Sequence, residues 1–287
     1  MYDVIIIGAG PAGVSASLYT KRANKKTLII HNDNGGLKKA QKIENYYGFE
    51  NGIEGEELYQ IGIKQAENIG VEVKKEEIIK IESANEKFKV VTDLNIYEAN
   101  SIIIAIGTKR NKANIKGIKE LEGKGISYCA ICDGFFYRNK NVSVIGSGNY
   151  ALSETNDLLP IANKITILTN GEKAPEFRAD NVEVITKPIE KIEGKNKVEE
   201  VLFKDNTKIK TEGIFIAQGT AGSIELAKKI GLVTTDNGNI KVNEKMETNI
   251  KGIYACGDCT GDILQVSKAV YEGAVAGLEV IKYLKNK

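Results

Sequence analysis

A single histidine, His31, in 287 residues removes two classes of mechanism at once, a histidine-based catalytic triad and a multi-histidine metal site. Tryptophan is absent while lysine, asparagine and isoleucine are plentiful, a compositional bias that carries no mechanism. No stretch approaches the ~20 apolar residues of a membrane span. The first apolar run starts at Asp3 and leaves no space for a signal peptide, so a cytoplasmic protein is expected. Only four cysteines occur, and in that compartment they read as catalytic or structural thiols rather than permanent disulfides. Excess charge of one sign is lacking too: 40 Lys and Arg against 38 Asp and Glu leave a formal charge of +2. That balance gives no reason to expect a nucleic acid or a strongly anionic partner.

Apolar residues make up 42% of the chain, and its length suffices for about two domains of ~150 residues, each with a core of its own. Residues 3–7 form a short β-branched run, apolar on both faces, as a central parallel strand requires. The run passes directly into Gly8-Ala9-Gly10-Pro11-Ala12-Gly13 and then into a helical stretch at 14–21. This is a complete G-x-G-x-x-G between strand and helix. Gly8 makes the tight turn, Gly10 lets a pyrophosphate approach the backbone, and Gly13 lets helix pack on strand. The phosphates then rest on the helix N-terminus. A second strand at 27–30 ends at His31, where an acidic residue would normally hold a ribose. His31 can hydrogen-bond a ribose, but a solvated loop histidine is the preferred reading.

The same unit recurs. Residues 141–145 form a strand, Gly146-Ser147-Gly148-Asn149-Tyr150-Ala151 a glycine turn, 152–159 a helix and 164–168 the following strand. Ala151 stands at the third glycine position, which the fingerprint tolerates. Each unit closes on a similar strand, SIIIAIG at 101–107 and GIFIAQG at 213–219. An internal duplication of a dinucleotide-binding domain, with two nucleotide sites, is the natural interpretation.

Just ahead of the second turn lies Cys129-Ala130-Ile131-Cys132-Asp133-Gly134. Two cysteines so spaced can close a small disulfide ring. A helix opening at Cys132 would lower a thiol pKa, and Asp133 can supply or remove the proton that dithiol chemistry needs. Alone, the pattern equally suits half a zinc site or two inert buried thiols. A second pair occurs in Cys256-Gly257-Asp258-Cys259. A joint four-cysteine zinc site is disfavoured by the separation of the pairs. An auxiliary redox couple and inert small residues remain, the latter preferred.

GAGPAG at 8–13, ENYYG at 44–48, YCAICDGFFYR at 128–138, GSGNYA at 146–151 and YACGD at 254–258 together resemble the low-molecular-weight thioredoxin reductases over essentially the whole chain. The resemblance implies an α/β fold of two Rossmann-like, three-layer nucleotide-binding domains, the second inserted into the first. An FAD domain would comprise residues 1–110 and 240–287, an NAD(P)H-type domain carrying the disulfide residues 111–239, and two copies a homodimer. Position by position, it implies Cys129 as the thiol that attacks thioredoxin, Cys132 as its flavin-facing partner and Asp133 as the acid. It also implies Gly8, Gly10, Pro11, Ala12 and Gly13 at the FAD pyrophosphate, Asn45 on the flavin side and Gly107 beside the cofactor. Gly257 and Asp258 would lie at the ribityl-phosphate region and Gln265 near the ring, with Leu264 where the family usually has arginine.

The largest departure concerns the electron donor. A 2′-phosphate must be matched by positive charge at the end of the second strand, where the family normally carries a His-Arg-Arg cluster. Here the chain reads Leu168-Thr169-Asn170-Gly171-Glu172-Lys173-Ala174-Pro175, and only Arg178 follows. Asn149 and Tyr150 replace the usual Asp-Ser, and a tyrosine ring there is expected to intrude on the cofactor's space. NAD(P)H binding is therefore doubtful. The chain resembles the ferredoxin-dependent flavin thioredoxin reductases of the clostridial type, with reduced ferredoxin as donor. The alternatives are an NADPH- or NADH-dependent reductase of thioredoxin or of a peroxiredoxin partner, and a flavin-bound redox sensor.

The remaining stretches say less. Residues 54–69 read as an amphipathic helix, 71–91 and 182–210 as antiparallel ribbons, and 266–284 as an apolar-faced helix. Crossings between domains are expected at 107–118 and 237–247. Lys109, Arg110 and Lys112 at the first of them read as a solvated linker in preference to a docking site for acidic ferredoxin.

Overall fold

The structure, a computed structural model, describes residues 1–32, 35–84, 87–107, 115–128, 130–218, 226–227, 229–235 and 238–287, without the side chains of Lys38, Lys39, Ala84 and Cys132. The chain divides into two compact units, Met1–Arg110 with Gly222–Lys287, and Asn111–Ala221.

In the first unit β1 (Tyr2–Ile7), α1 (Pro11–Arg22) and β2 (Thr27–His31) form the opening strand–turn–helix–strand. They are followed by α2 (Gly55–Asn68), β3 (Glu72–Lys75), β4 (Ile78–Ala84), β5 (Lys87–Thr92) and β6 (Ile96–Ile104). The sheet runs β3-β2-β1-β6-β5-β4, with all pairings from β3 to β6 parallel and the β4–β5–β6 meander antiparallel. β1 is buried on both faces. Val4 and Ile6 join one core cluster with Ala12, Ala16, Ala276 and Val280, whereas Ile5 and Ile7 join another with Phe88, Val90, Leu226 and Ile240. Each fully buried isoleucine contributes roughly 1.5–3 kcal/mol.

The second unit contains α3 (Ile118–Leu121), β7 (Ile126–Ser127), α4 (Ala130–Asp133), β8 (Asn141–Ile145), α5 (Asn149–Leu158), β9 (Lys164–Leu168) and β10 (Val182–Ile185). An antiparallel ribbon of β11 (Ile189–Glu193), β12 (Glu200–Phe203) and β13 (Lys208–Lys210) precedes β14 (Gly213–Ile216). Its main sheet is parallel throughout, in the order β10-β9-β8-β14-β7. The first unit is completed by β15 (Ile253–Ala255), parallel to β6, and by α6 (Val266–Lys285). Even single hydrogen bonds repeat: Gly8 N–H donates to Ile30 O at 2.8 Å and Gly146 N–H to Leu168 O at 3.0 Å. Ala105 N–H to Ile7 O and Ala217 N–H to Ile145 O are both 2.8 Å. The duplicated α/β architecture is therefore present. Among the described residues no helix is long and apolar enough to cross a membrane.

Two expectations are corrected. Residues 72–75 and 182–185 are not ribbon strands; each is the parallel edge strand beside β2 or β9. The inserted unit ends at Ala221 rather than at 239, and the return crossing is not at 237–247. Leu226, Ala227, Leu232 and Ile240 are buried against β1, β2 and β6 of the first unit, so these residues belong to that core. Lys109, Arg110 and Lys112 lie outside the described residues.

Candidate functional site

The turn between β1 and α1 is built from its glycines. Gly8 has φ +106°, and a Cβ there would lie 2.3 Å from Ala105 O. A Cβ on Gly13 would lie 1.9 Å from Gly8 O, so no other residue lets α1 pack this closely. Gly10, by contrast, has no described atom within 4 Å of its would-be Cβ: that side of the turn is open. Gly10 is the N-cap of α1 without a side-chain cap, Pro11 occupies the first turn, and no acidic residue lies there. The first-turn amides of Ala12 and Gly13 have no intrahelical acceptor, and together with the helix dipole they favour an anion.

The C-terminal part of the chain reaches this turn because α6 crosses α1 at very short range. A Cβ on Gly273 would lie 2.2 Å from Ala12 O and one on Gly277 2.8 Å from Ala16 O, while Ser15 Oγ donates to Val270 O at 2.7 Å. Gly257, φ +81°, sits where a Cβ would meet Ala12 Cβ at 2.8 Å. Its amide donates to Glu272 Oε2 at 2.7 Å, which also accepts from Thr260 Oγ1 at 2.9 Å. Lys268 Nζ, 3.1 Å from the same carboxylate, donates to the carbonyls of Gly257 and Gly261 at 3.0 and 2.6 Å. This Lys268–Glu272 pair fixes the 257–261 turn against α1, and sequence reasoning missed it; two charges four residues apart in a small-residue helix were the available signal. Asp258 is half-buried, and burial pushes its carboxyl up. Asn45 and Gln265, 220 positions apart, meet: Asn45 Nδ2 donates to Gln265 Oε1 at 2.9 Å. Gly107 has φ +69° with no described neighbour against its would-be Cβ, and Leu264 is exposed.

In the second unit Gly146 repeats the tight turn, its would-be Cβ 2.2 Å from Ala217 O, and Gly148 is as open as Gly10. Here, however, Ser147 Oγ donates to a carboxylate oxygen of Glu172. Negative charge thus stands just beyond β9, at the mouth of the turn. The expected intrusion of Tyr150 into cofactor space is not found. Its ring is buried among Ala130, Val142, Val144 and Leu158, and its hydroxyl donates to Tyr128 O at 2.9 Å.

The segment carrying the first cysteine pair passes through α4, which has only four residues, with Cys132 third among them. The helix begins at Ala130, so Cys132 does not open it, and a single turn has no appreciable dipole to lower a thiol pKa. Cys129 and the side chain of Cys132 lie outside the described residues. Asp133 Oδ2 accepts from Ser127 Oγ at 2.7 Å.

Comparison with known proteins places this geometry. Residues 2–273 match the model of the pyridine nucleotide-disulphide oxidoreductases. The chain is 35% identical to the thioredoxin reductase of Bacillus subtilis, over 100% of its own length and 96% of that protein. It belongs to the low-molecular-weight thioredoxin reductase family. Among solved members, the atypical thioredoxin reductase TRi of Desulfovibrio vulgaris Hildenborough superposes with a TM-score of 0.88 at 34% identity, covering 100% of this chain and 99% of that one. A ferredoxin-flavin thioredoxin reductase of Clostridium acetobutylicum gives 0.70 at 35% identity, with the same coverage.

His31 is not a solvated loop residue: it ends β2, half-buried, with Nδ1 2.8 Å from Tyr59 Oη. Burial and then Lys75 hold its pKa down, so it is neutral near pH 7. Cys256 and Cys259 are buried free thiols, Cys259 Sγ donating to Cys256 O at 3.3 Å. Burial pushes both thiols up, Cys259 to about 12. Alkylation of the reduced native protein is expected to label at most two cysteines, with Cys256 and Cys259 reacting only after denaturation. Mass spectrometry of the alkylated peptides checks this.

Proposed function

We propose that this chain is an FAD-dependent thioredoxin reductase that receives electrons from reduced ferredoxin and passes them through the Cys129–Cys132 disulfide to thioredoxin. Membership of the thioredoxin reductase family supports the flavin, the dithiol and the protein substrate. The donor rests on the missing arginine cluster at 168–175, and the Ser147–Glu172 hydrogen bond across the second glycine turn counts against NADPH in particular. A 2′-phosphate delivered there meets a carboxylate instead of a guanidinium, and like charges repel in just the place where NADPH needs attraction.

The residues present fit FAD. Gly8 and Gly13 set a turn that only glycine permits, and the open side of Gly10 with the amides of Ala12 and Gly13 beyond Pro11 would take the pyrophosphate. Asp258 would hold the ribityl-phosphate region, Gly257 giving the close approach while its own amide is held by Glu272. Asn45, Gln265 and Gly107 would flank the ring. When bound, FAD supplies a group that accepts electrons singly or in pairs and reduces a disulfide by the pair. The Cys129 thiolate then attacks a thioredoxin sulfur, forming a mixed disulfide and releasing one thioredoxin thiolate. Attack by Cys132 on Cys129 frees the second thiolate and regenerates the disulfide, and Asp133 would be the acid that exchanges protons with the thiols. The working form is taken to be a cytoplasmic homodimer.

Glu172 also favours a second reading. An acidic residue just beyond the second strand is the usual partner of an unphosphorylated ribose, so among nucleotides NADH ranks ahead of NADPH. Anaerobic titration of the oxidised protein separates the donors. Flavin absorbance is expected to bleach rapidly with reduced ferredoxin and to persist with micromolar NADPH or NADH. Rapid bleaching by either nucleotide overturns the ferredoxin donor.

A further inference from the structure

The end of β2 stands beside the first glycine turn. Gly8 N–H donates to Ile30 O at 2.8 Å, and His31 follows Ile30 as the last residue of the strand. Its side chain therefore starts at the C-terminal edge of the sheet, one residue beyond the turn, where open α/β sheets take their ligands. Alternation along β2 sets the face. Ile30 packs with Ile5 and Ile7, whereas the imidazole turns to the opposite side, toward Tyr59, which belongs to the cluster of Val4, Ile6, Ala12 and Ala16. That is the side on which α1 lies. Tyr59, on α2 and 4% exposed, holds the ring: its Oη is 2.8 Å from Nδ1, and the two rings meet edge to face. Burial raises the Tyr59 hydroxyl to about 12, so it keeps its proton. Among the described residues nothing bonds Nε2, the ring nitrogen left for a ligand.

We infer that His31, the single histidine of the chain, hydrogen-bonds the adenosine ribose of FAD, with Tyr59 as its positioning residue. The inference rests on the reading of the first unit as an FAD domain. An acidic side chain normally receives the ribose hydroxyls at this point of such a fold. Here a neutral imidazole stands in its place, kept neutral by burial and then by Lys75, its neighbour across the β2–β3 pairing. A ribose hydroxyl both donates and accepts, so it can bond Nε2 whichever ring nitrogen carries the hydrogen. The Tyr59 phenol is as adaptable toward Nδ1. A free imidazole would lose rotamer freedom on meeting the ribose; one already held by Tyr59 loses less, which is the gain of preorganisation.

The adenosine half of the cofactor makes this contact and the flavin half does not, which separates a binding role from a structural one. Full-length protein is freed of flavin and titrated with FAD and, separately, with FMN, which lacks the adenosine. The change in flavin fluorescence reads both affinities. Wild type is expected to bind FAD more tightly than FMN. His31→Ala is expected to weaken FAD about tenfold and to leave FMN within about twofold, the loss of one well-placed hydrogen bond. Tyr59→Phe keeps the buried ring and releases the imidazole, and is expected to weaken FAD about threefold with FMN again unchanged. His31→Glu supplies the usual acid and is expected to hold FAD at least as tightly as wild type. Should His31→Ala not fold, His31→Leu fills the space of the ring and carries the same expectation. Equal loss of FAD and FMN in His31→Ala or His31→Leu, unmoved affinity for both, or His31→Glu no tighter than His31→Ala overturns the inference. Wild-type protein that binds neither flavin overturns the reading of the first unit instead.

Discussion

Replacing Cys132 with serine is expected to reduce thioredoxin turnover at least about a thousandfold while flavin content and melting temperature stay at the wild-type values. Serine matches cysteine in size, so the one-turn helix Ala130–Asp133 has no steric reason to rearrange. What disappears is the second sulfur. Cys129 can still attack a disulfide, but the mixed disulfide then has no internal thiolate to resolve it, and the electron pair has no disulfide on which to arrive. Three decades in rate correspond to about 4 kcal/mol of barrier, a modest figure for removing an obligatory group. Incubation with oxidised thioredoxin should trap the mixed disulfide as a covalent adduct on a non-reducing gel. Turnover at the unmodified rate would end the proposal that this pair carries the electrons.

Glu272→Ala is expected to destabilise the first unit by about 3–5 kcal/mol, the usual effect of removing one partner from a buried ion pair. Lys268 would be left with its charge nearly enclosed, since the pair is only 10% and 9% exposed, and the Gly257 amide and Thr260 hydroxyl would lose their acceptor. For a domain of this size each kcal/mol lowers the melting temperature by roughly 2–4 °C. The loosened turn is the one that carries Asp258 to α1, so FAD should also dissociate on gel filtration. Glu272→Gln retains the acceptor and should lose less of both. Wild-type melting together with full flavin retention in the alanine variant would show that the turn is held by other contacts.

Much of this molecule was legible before folding because glycines and β-branched runs report local geometry. G-x-G-x-x-G between strand and helix requires a turn in which Gly8 adopts φ +106° and Gly13 abuts Gly8 O. The repeat of that pattern at Gly146 predicted the second unit. The legible part stops where contacts join distant segments. Nothing in the order of residues told 72–75 from a ribbon strand, because a parallel edge strand and an antiparallel one alternate alike. Leu226, Ala227 and Leu232 read as part of the insertion, since they show where they belong only once they meet Ile5 and Ile7. Tyr150 looked like an obstruction in the nucleotide turn, because a motif records the position of a side chain and not the face of the helix on which it leaves.

By itself, then, the sequence determined the duplicated strand–turn–helix, the cysteine pair and the missing arginines of the second turn. These depend on covalent neighbours and on steric limits acting within a few residues. Only the tertiary structure decided that Asn45 meets Gln265, that Lys268 and Glu272 hold the 257–261 turn, and that Glu154 reaches Ala130. Each is a hydrogen bond or ion pair between polar groups, and its strength is set by burial and by a distance that the packing of α1, α5 and α6 fixes. No local pattern encodes that distance.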